Sequence, residues 1–272
     1  MSTELSVGGT PVATIVADPQ LDIRLGPRPY LHPVRTLGGT VVTDALCEDH
    51  PWHMGVSVAM QDVDGVNFWG GRTYVRDQGY TWLDDHGRIT PGGEWQDQTG
   101  RALLSEKRQV TAAATQDGWE LTYEYALTAP ATRDVTLGSP ATNGRPGGAG
   151  YGGFFWRGAP VPGAEVVAWT ASADGEAAVN GSAEPWVAVR AGNAYTLVFR
   201  GLRDDDRWFV RTGDYVGVCA ALAFERPLTI RAGTTLSREI RVSVTDGAAG
   251  PPRPLRLRRA TPPSGPLPAA PR

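Results

Sequence analysis

Cysteine is nearly absent from this chain of 272 residues, which holds only Cys47 and Cys219. Their separation matches no metal or redox spacing, so both are expected as buried free thiols and a disulfide framework is excluded. Lysine is scarcer still: Lys107 stands alone, and the rest of the basic charge is arginine. No run of about 18 apolar residues exists, which leaves no candidate membrane helix. No basic, apolar leader opens the sequence either, so the expected location is cytoplasmic and no membrane partner is expected. The net charge of −3 supplies no overall basic balance for nucleic acid. Also missing is any sustained i, i+3, i+4 apolar stripe, which argues against a helical bundle.

What the chain has instead is turn residues and aromatics: 34 Gly, 22 Pro and 9 Trp. Its apolar periodicity is two. Trp119, Leu121, Tyr123, Tyr125 and Leu127 share one face of a strand, opposite Glu120, Thr122, Glu124 and Thr128. Val56, Val58 and Met60 alternate with Ser57 and Ala59, and Ile240, Val242 and Val244 with Arg241, Ser243 and Thr245. Further strands are expected at Asp22–Leu25, Val66–Trp69, Gly153–Arg157, Trp186–Arg190, Trp208–Arg211 and Val216–Phe224. Turn signals such as Gln116-Asp117-Gly118 separate them. A dozen or more short strands with little helix predict an all-β fold, a large two-sheet sandwich, as one domain over residues 8–247. The glycine-rich segment 138–150 lacks the strand–turn–helix setting of a phosphate loop and reads as a flexible connection.

Residues 248–272 form a different region. Five arginines and eight prolines crowd the stretch from Ala249, with no acidic residue. This composition predicts a disordered tail, solvated or able to meet an acidic protein partner.

All four histidines, His32, His50, His53 and His86, fall in the first third of the chain. The segment 28–39 supplies Arg28, Tyr30, His32 and Arg35. The segment 48–55 supplies Glu48, Asp49, His50, Trp52 and His53, and 67–82 adds Asn67 and Arg72 among several tryptophans and tyrosines. This mixture suits a sugar. Hydroxyls need fixed donors and acceptors, and the apolar face of a pyranose stacks on Trp or Tyr. A histidine beside a carboxylate moves protons near neutral pH.

The candidate catalytic residues are therefore His50, His53 and Asp49, with Glu48 as an alternative orienting carboxylate. The candidate binding residues are Arg28, Tyr30, His32, Arg35, Trp52, Asn67 and Arg72. Because Pro51 disfavours helix for His50, one turn is expected to carry both imidazoles at the mouth of a concave face, with Arg28 and Arg35 across it. No cofactor and no metal are expected. A competing reading makes His50 and His53, with His32 or His86, ligands of a metal-dependent oxygenase or hydrolase. Another makes the same loops a carbohydrate-binding module without catalysis.

The segments RPYLHPVRTLGGTVVTD, DHPWHMGVSVAMQDVDGVNFWGG, PWVAVRA and GDYVGVCAALAFERPLTIRAGTTLSREIRVSVTDG resemble the DUF6807 family, which also carries the label PmoA-like, a methane oxygenase name. The resemblance spans most of residues 10–247. It implies a β-sandwich similar to galactose-mutarotase-like supersandwiches and, because such proteins often accompany sugar-modifying dehydrogenases, a role in carbohydrate metabolism. Many family members read D-H-P-H-H-R-G at the second motif. Here Trp52 and Met54 stand where a second His and an Arg would be. The reaction expected on these grounds is proton transfer on a sugar or glycoside: epimerisation, mutarotation or glycoside cleavage.

Overall fold

A computed structural model describes residues 2–251. Two large antiparallel sheets dominate. The seven-stranded sheet runs, edge to edge, through Ser2–Val7, Thr10–Val16, Tyr30–Val34, Val56–Ala59, Gly153–Arg157, Gly217–Ala221 and Arg207–Arg211. The eight-stranded sheet runs through Val166–Trp169, Trp186–Ala191, Tyr195–Arg200, Thr235–Asp246, Gly118–Thr128, Ala102–Thr115, Glu94–Gln96 and Arg88–Ile89. Leu228–Ile230, Val135–Gly138 and Asp62–Val63 make a small third sheet, and Thr73–Val75 pairs with Gly79–Thr81. Helix is confined, among the described residues, to the single turn Glu176–Val179 and the 3-10 turn Ile23–Leu25. No described helix is long and apolar enough to cross a membrane.

The fold is thus an all-β two-sheet sandwich. Alternation places Val58, Phe154, Trp156, Val218 and Ala220 of one sheet in the same core as Leu121, Tyr123, Ile240 and Val242 of the other. Full burial of a side chain the size of Val, Leu, Ile or Phe contributes about 1.5–3 kcal/mol. The strands Gly118–Thr128 and Thr235–Asp246 pair Trp119 with Val244 and Tyr123 with Ile240, so the apolar positions of both strands share one face.

The other face of the seven-stranded sheet is covered as well. Ser57 and Ala59, which alternate with Val56, Val58 and Met60, are fully buried. They are buried because a second layer covers them: Trp69, Ala149, Tyr151 and Phe224 pack on Ala59, Phe155, Phe209, Cys219 and Ala221. Covered on both faces, Gly153–Arg157 and Gly217–Ala221 read as continuous buried runs.

Other expectations are corrected locally. The strand Ser2–Val7 precedes residue 8 and pairs with Thr10–Val16 around Gly8-Gly9. Asp22–Leu25 is no strand: the Asp22 carboxylate accepts from Arg24 N at 2.9 Å and nucleates the 3-10 turn. Val66–Trp69 is irregular, since the Asn67 side chain takes the Trp69 and Gly70 amides that a neighbouring strand would have taken. The segment 138–150 is held in place, with Ser139 Oγ donating to Ala223 O at 2.7 Å and Ala149 buried. At the other end, Trp169 Nε1 donates to Pro251 O at 3.1 Å. The rest of the expected tail, from residue 252, lies outside the described residues.

Candidate functional site

The second layer does not close completely. Between it and the seven-stranded sheet lies a cavity of about 460 Å³, lined by residues of the 50–53 turn, the 61–82 segment, the 145–151 loop and the 209–215 edge. Three tryptophans, Trp52, Trp69 and Trp82, contribute walls, with Tyr80, Tyr151, Tyr215 and Phe209. Trp52 lies on the Gly70-Gly71 backbone. Both glycines have positive φ, and a Cβ on Gly71 would sit 2.6 Å from the indole ring. Only glycine permits that approach.

The 50–53 turn closes through a hydrogen bond from His53 N to His50 O at 2.9 Å. Positions i and i+3 then converge: the two imidazoles stack with centroids 4.6 Å apart and planes 11° apart. Their partners are opposite in kind. His50 Nδ1 lies 2.7 Å from Asp49 Oδ2. A carboxylate only accepts, so Nδ1 carries the proton and Nε2 is left to give or take one. His53 Nδ1 lies 3.2 Å from Arg157 Nη1. A guanidinium only donates, so this Nδ1 is the acceptor and the ring proton is on Nε2.

Arg157 ties the two halves together. Its Nη2 reaches both Asp49 oxygens at 3.1 and 3.0 Å, and its Cζ sits 4.6 Å from the centre of the Tyr215 ring. Burial opposes ionisation of Asp49, but hydrogen bonds from His50 and Arg157 outweigh it and hold the carboxyl below its ordinary range. His53 is pushed well below the ordinary imidazole range, by burial first and then by its neighbours His50, Arg157 and Arg28. At 2 % exposure, His53 is floor, not mouth, against Trp69, Phe155 and Tyr215. His50 is the partly exposed member of the pair.

A second chain of polar groups crosses the cavity wall. Arg145 donates to Tyr80 OH, which meets Tyr151 OH at 2.8 Å. Tyr151 OH in turn accepts from Gln61 Nε2 at 3.0 Å. Burial raises the pKa of both phenols, which keeps them as neutral donors at physiological pH.

Of the residues singled out in the sequence, His50, His53, Trp52 and Arg72 line this cavity, and Asp49 stands behind His50. The others are elsewhere. Arg28 is fully buried beneath it and donates to Ser57 Oγ and to the carbonyls of Gly26, Trp69 and Trp52. Asn67 is likewise buried and consumed by its own turn, donating to Thr73 Oγ1 at 2.8 Å. Tyr30 is buried in its strand, and the His32 ring pairs with Thr43 Oγ1 at 3.0 Å. Arg35 reaches Gly39 O, on its own loop. His86 supports the cavity from outside through Gly71 O at 2.7 Å.

Residues 2–253 match a family model described as "Family of unknown function (DUF6807)". The chain belongs to DUF6807. A comparison with curated proteins finds no match. At the two positions where this DUF6807 chain departs from the D-H-P-H-H-R-G pattern, Trp52 has become cavity wall and Met54 is fully buried. Among the described residues, no three His, Cys, Asp or Glu side chains are grouped to hold a metal ion. His53 Nδ1 is already committed to a cation, and the His32 ring is taken up by Thr43 Oγ1. Both cysteines are buried and free, and burial above all pushes their thiols up to about 12.

Arg157, Tyr151, Tyr215, Arg145 and Gln61 were not singled out in the sequence. One signal for Arg157 was available. It ends the apolar run Gly153–Arg157, and an arginine on a strand buried on both faces needs a polar partner there.

Proposed function

We infer that the cavity binds a sugar or glycoside and that His50, oriented by Asp49, transfers a proton on it. The observation that carries this reading is the 2.7 Å Asp49–His50 pair at the edge of an aromatic-walled cavity of about 460 Å³. Such a volume suits a small ligand. His53, with its proton on Nε2, serves as a neutral hydrogen-bond donor to a substrate oxygen, and Arg157 positions both histidines. Trp52 stacks on the ring. The two-sheet architecture is of the kind used by mutarotase-like sandwich enzymes, which supports the reading by analogy of fold.

Among the proposed reactions, mutarotation or epimerisation is favoured over glycoside cleavage. Cleavage normally uses two carboxylates flanking the bond, whereas Asp214 is the one carboxylate residue lining the cavity among the described residues. The competing reading, a binding module without catalysis, draws on the number of cavity aromatics and on the single proton-transfer group.

A screen of mono- and disaccharides by ligand-observed NMR, followed by measurement of anomeric exchange, tests both. Accelerated exchange that falls about 10²–10⁴-fold in His50→Gln supports catalysis. Binding without any chemical change in the sugar supports the module instead, and the absence of any sugar binding contradicts both.

A further inference from the structure

The charges around the cavity are unbalanced. Arg72, Arg145 and Arg211 line it, against the carboxylate of Asp214. Arg211 pairs with the carboxylate of Glu176 at 3.7 Å. Among the described residues Arg72 and Arg145 are in no ion pair. Arg145 lies over the Tyr80 ring at 4.8 Å and Arg72 over Trp82 at 6.0 Å. Below them Arg28 is wholly buried, and the hydrogen bonds of its guanidinium go to neutral oxygens. This excess of cation belongs to a chain whose net charge is −3. It is a local property of the cavity, of the kind that draws an anion.

A second observation concerns hydroxyls. Gln61 is buried in the cavity wall, and its Nε2 donates to Arg72 O at 3.3 Å and to Tyr151 OH at 3.0 Å. The carbonyl fixes which end of the amide is nitrogen, because a carbonyl only accepts. Gln61 Oε1 is left as a buried acceptor without a partner. An unmet buried acceptor is costly, and a hydroxyl donor relieves that cost.

We propose that the ligand is an acidic sugar, whose carboxylate or phosphate is held by Arg72 and Arg145 and one of whose hydroxyls donates to Gln61 Oε1. This rests on the sugar-binding reading above and narrows it. A simple anion leaves Gln61 unmet, and a neutral sugar leaves both arginines unmet. Arg145 gives one N–H to Tyr80 OH, and its other N–H groups, with those of Arg72, remain for the planar, charge-assisted contacts that arginine makes with carboxylates and phosphates.

The test is a set of parallel titrations by calorimetry or NMR. The probes are methyl glucuronide, galacturonate, glucose 6-phosphate, methyl glucoside and inorganic phosphate. At least one acidic sugar is expected to bind roughly tenfold tighter than methyl glucoside, with the advantage shrinking as salt screens the exposed charges. The uronates and the phosphate ester separate the two anion sources. Arg72→Gln and Arg145→Gln should each remove most of the advantage, while Arg72→Lys and Arg145→Lys retain part of it. Thermal melts confirm that each variant is folded. If methyl glucoside binds as tightly as the acidic sugars, the proposal is overturned and the sugar reading stands. If inorganic phosphate binds as tightly as glucose 6-phosphate, the sugar reading fails and only an anion site remains. If no probe binds, both are overturned.

Discussion

Phe154 and Phe155 are neighbours on one strand, equally buried, and they face different worlds. Phe154 meets Tyr123 at 5.4 Å in the core between the sheets. Phe155 meets His53 at 4.9 Å and Trp69 at 4.7 Å under the second layer. Buried charges follow the same division. On the core side, Glu106 accepts from Trp95 Nε1 and from Arg108 Nε, and Arg238 pairs with Asp206 at 2.6 Å. On the second-layer side, Arg28 has only neutral oxygens. Charges on one face are neutralised within the fold. On the other face Arg157 has the Asp49 carboxylate, but Arg28 is held in place with no carboxylate partner, an imbalance that fits the proposed ligand site.

The largest effect that sharpens this contrast is on stability. Phe154→Ala and Phe155→Ala are each expected to lower the unfolding free energy by about 3–5 kcal/mol in chemical denaturation. Only Phe155→Ala should also weaken sugar binding by the folded fraction, because it removes the ring that supports His53. Equal binding losses in the two variants would erase the distinction between the faces. His50→Gln reverses the pattern, with stability changed by less than about 1 kcal/mol and the proton-transfer rate reduced by the factor given above.

A smaller effect is a pH dependence of stability. A histidine with a depressed folded pKa stays neutral in the native state, while the unfolded chain takes up a proton below about pH 6.5. Stability therefore is complete above that pH and declines as pH falls through the folded value, by at most about 1.4 kcal/mol per pH unit for one group. His53→Gln keeps a neutral donor and acceptor, and should flatten the fall in thermal midpoint between pH 7 and pH 5. His32, lowered mainly by burial, supplies the slope that remains. A variant with the parent's slope would mean that His53 titrates normally. The smallest effect is at the rim: Trp82→Ala takes away the ring under Arg72 and should weaken binding of an acidic sugar by about 0.5–1 kcal/mol.

The sandwich was legible because period two is a property of neighbouring residues. The face marked by Trp119, Leu121, Tyr123, Tyr125 and Leu127 is buried as read. The 50–53 turn was legible too, since Pro51 and two histidines fall within four residues. Burial on the second face was not, because small residues such as Ser57 and Ala59 look the same under solvent and under another layer. Arg28 and Asn67 were misplaced for a related reason: polar residues in glycine-rich loops are often consumed by the loop's own backbone. Arg157 was missed because its partner Asp49 is 108 positions away, and pairing over that distance leaves no local pattern.

The opposed states of the two histidines are the point on which the rest depends, and side-chain 15N–1H correlation NMR reads them directly. Across pH 5.5 to 8, His53 should show a neutral ring with its proton on Nε2, and His50 should carry a proton on Nδ1. A proton on His53 Nδ1, or titration of His53 near the ordinary imidazole value, would contradict the arrangement. Arg157 would then not set the floor of the cavity, and the assignment of His50 as the proton-transfer group would lose its structural basis.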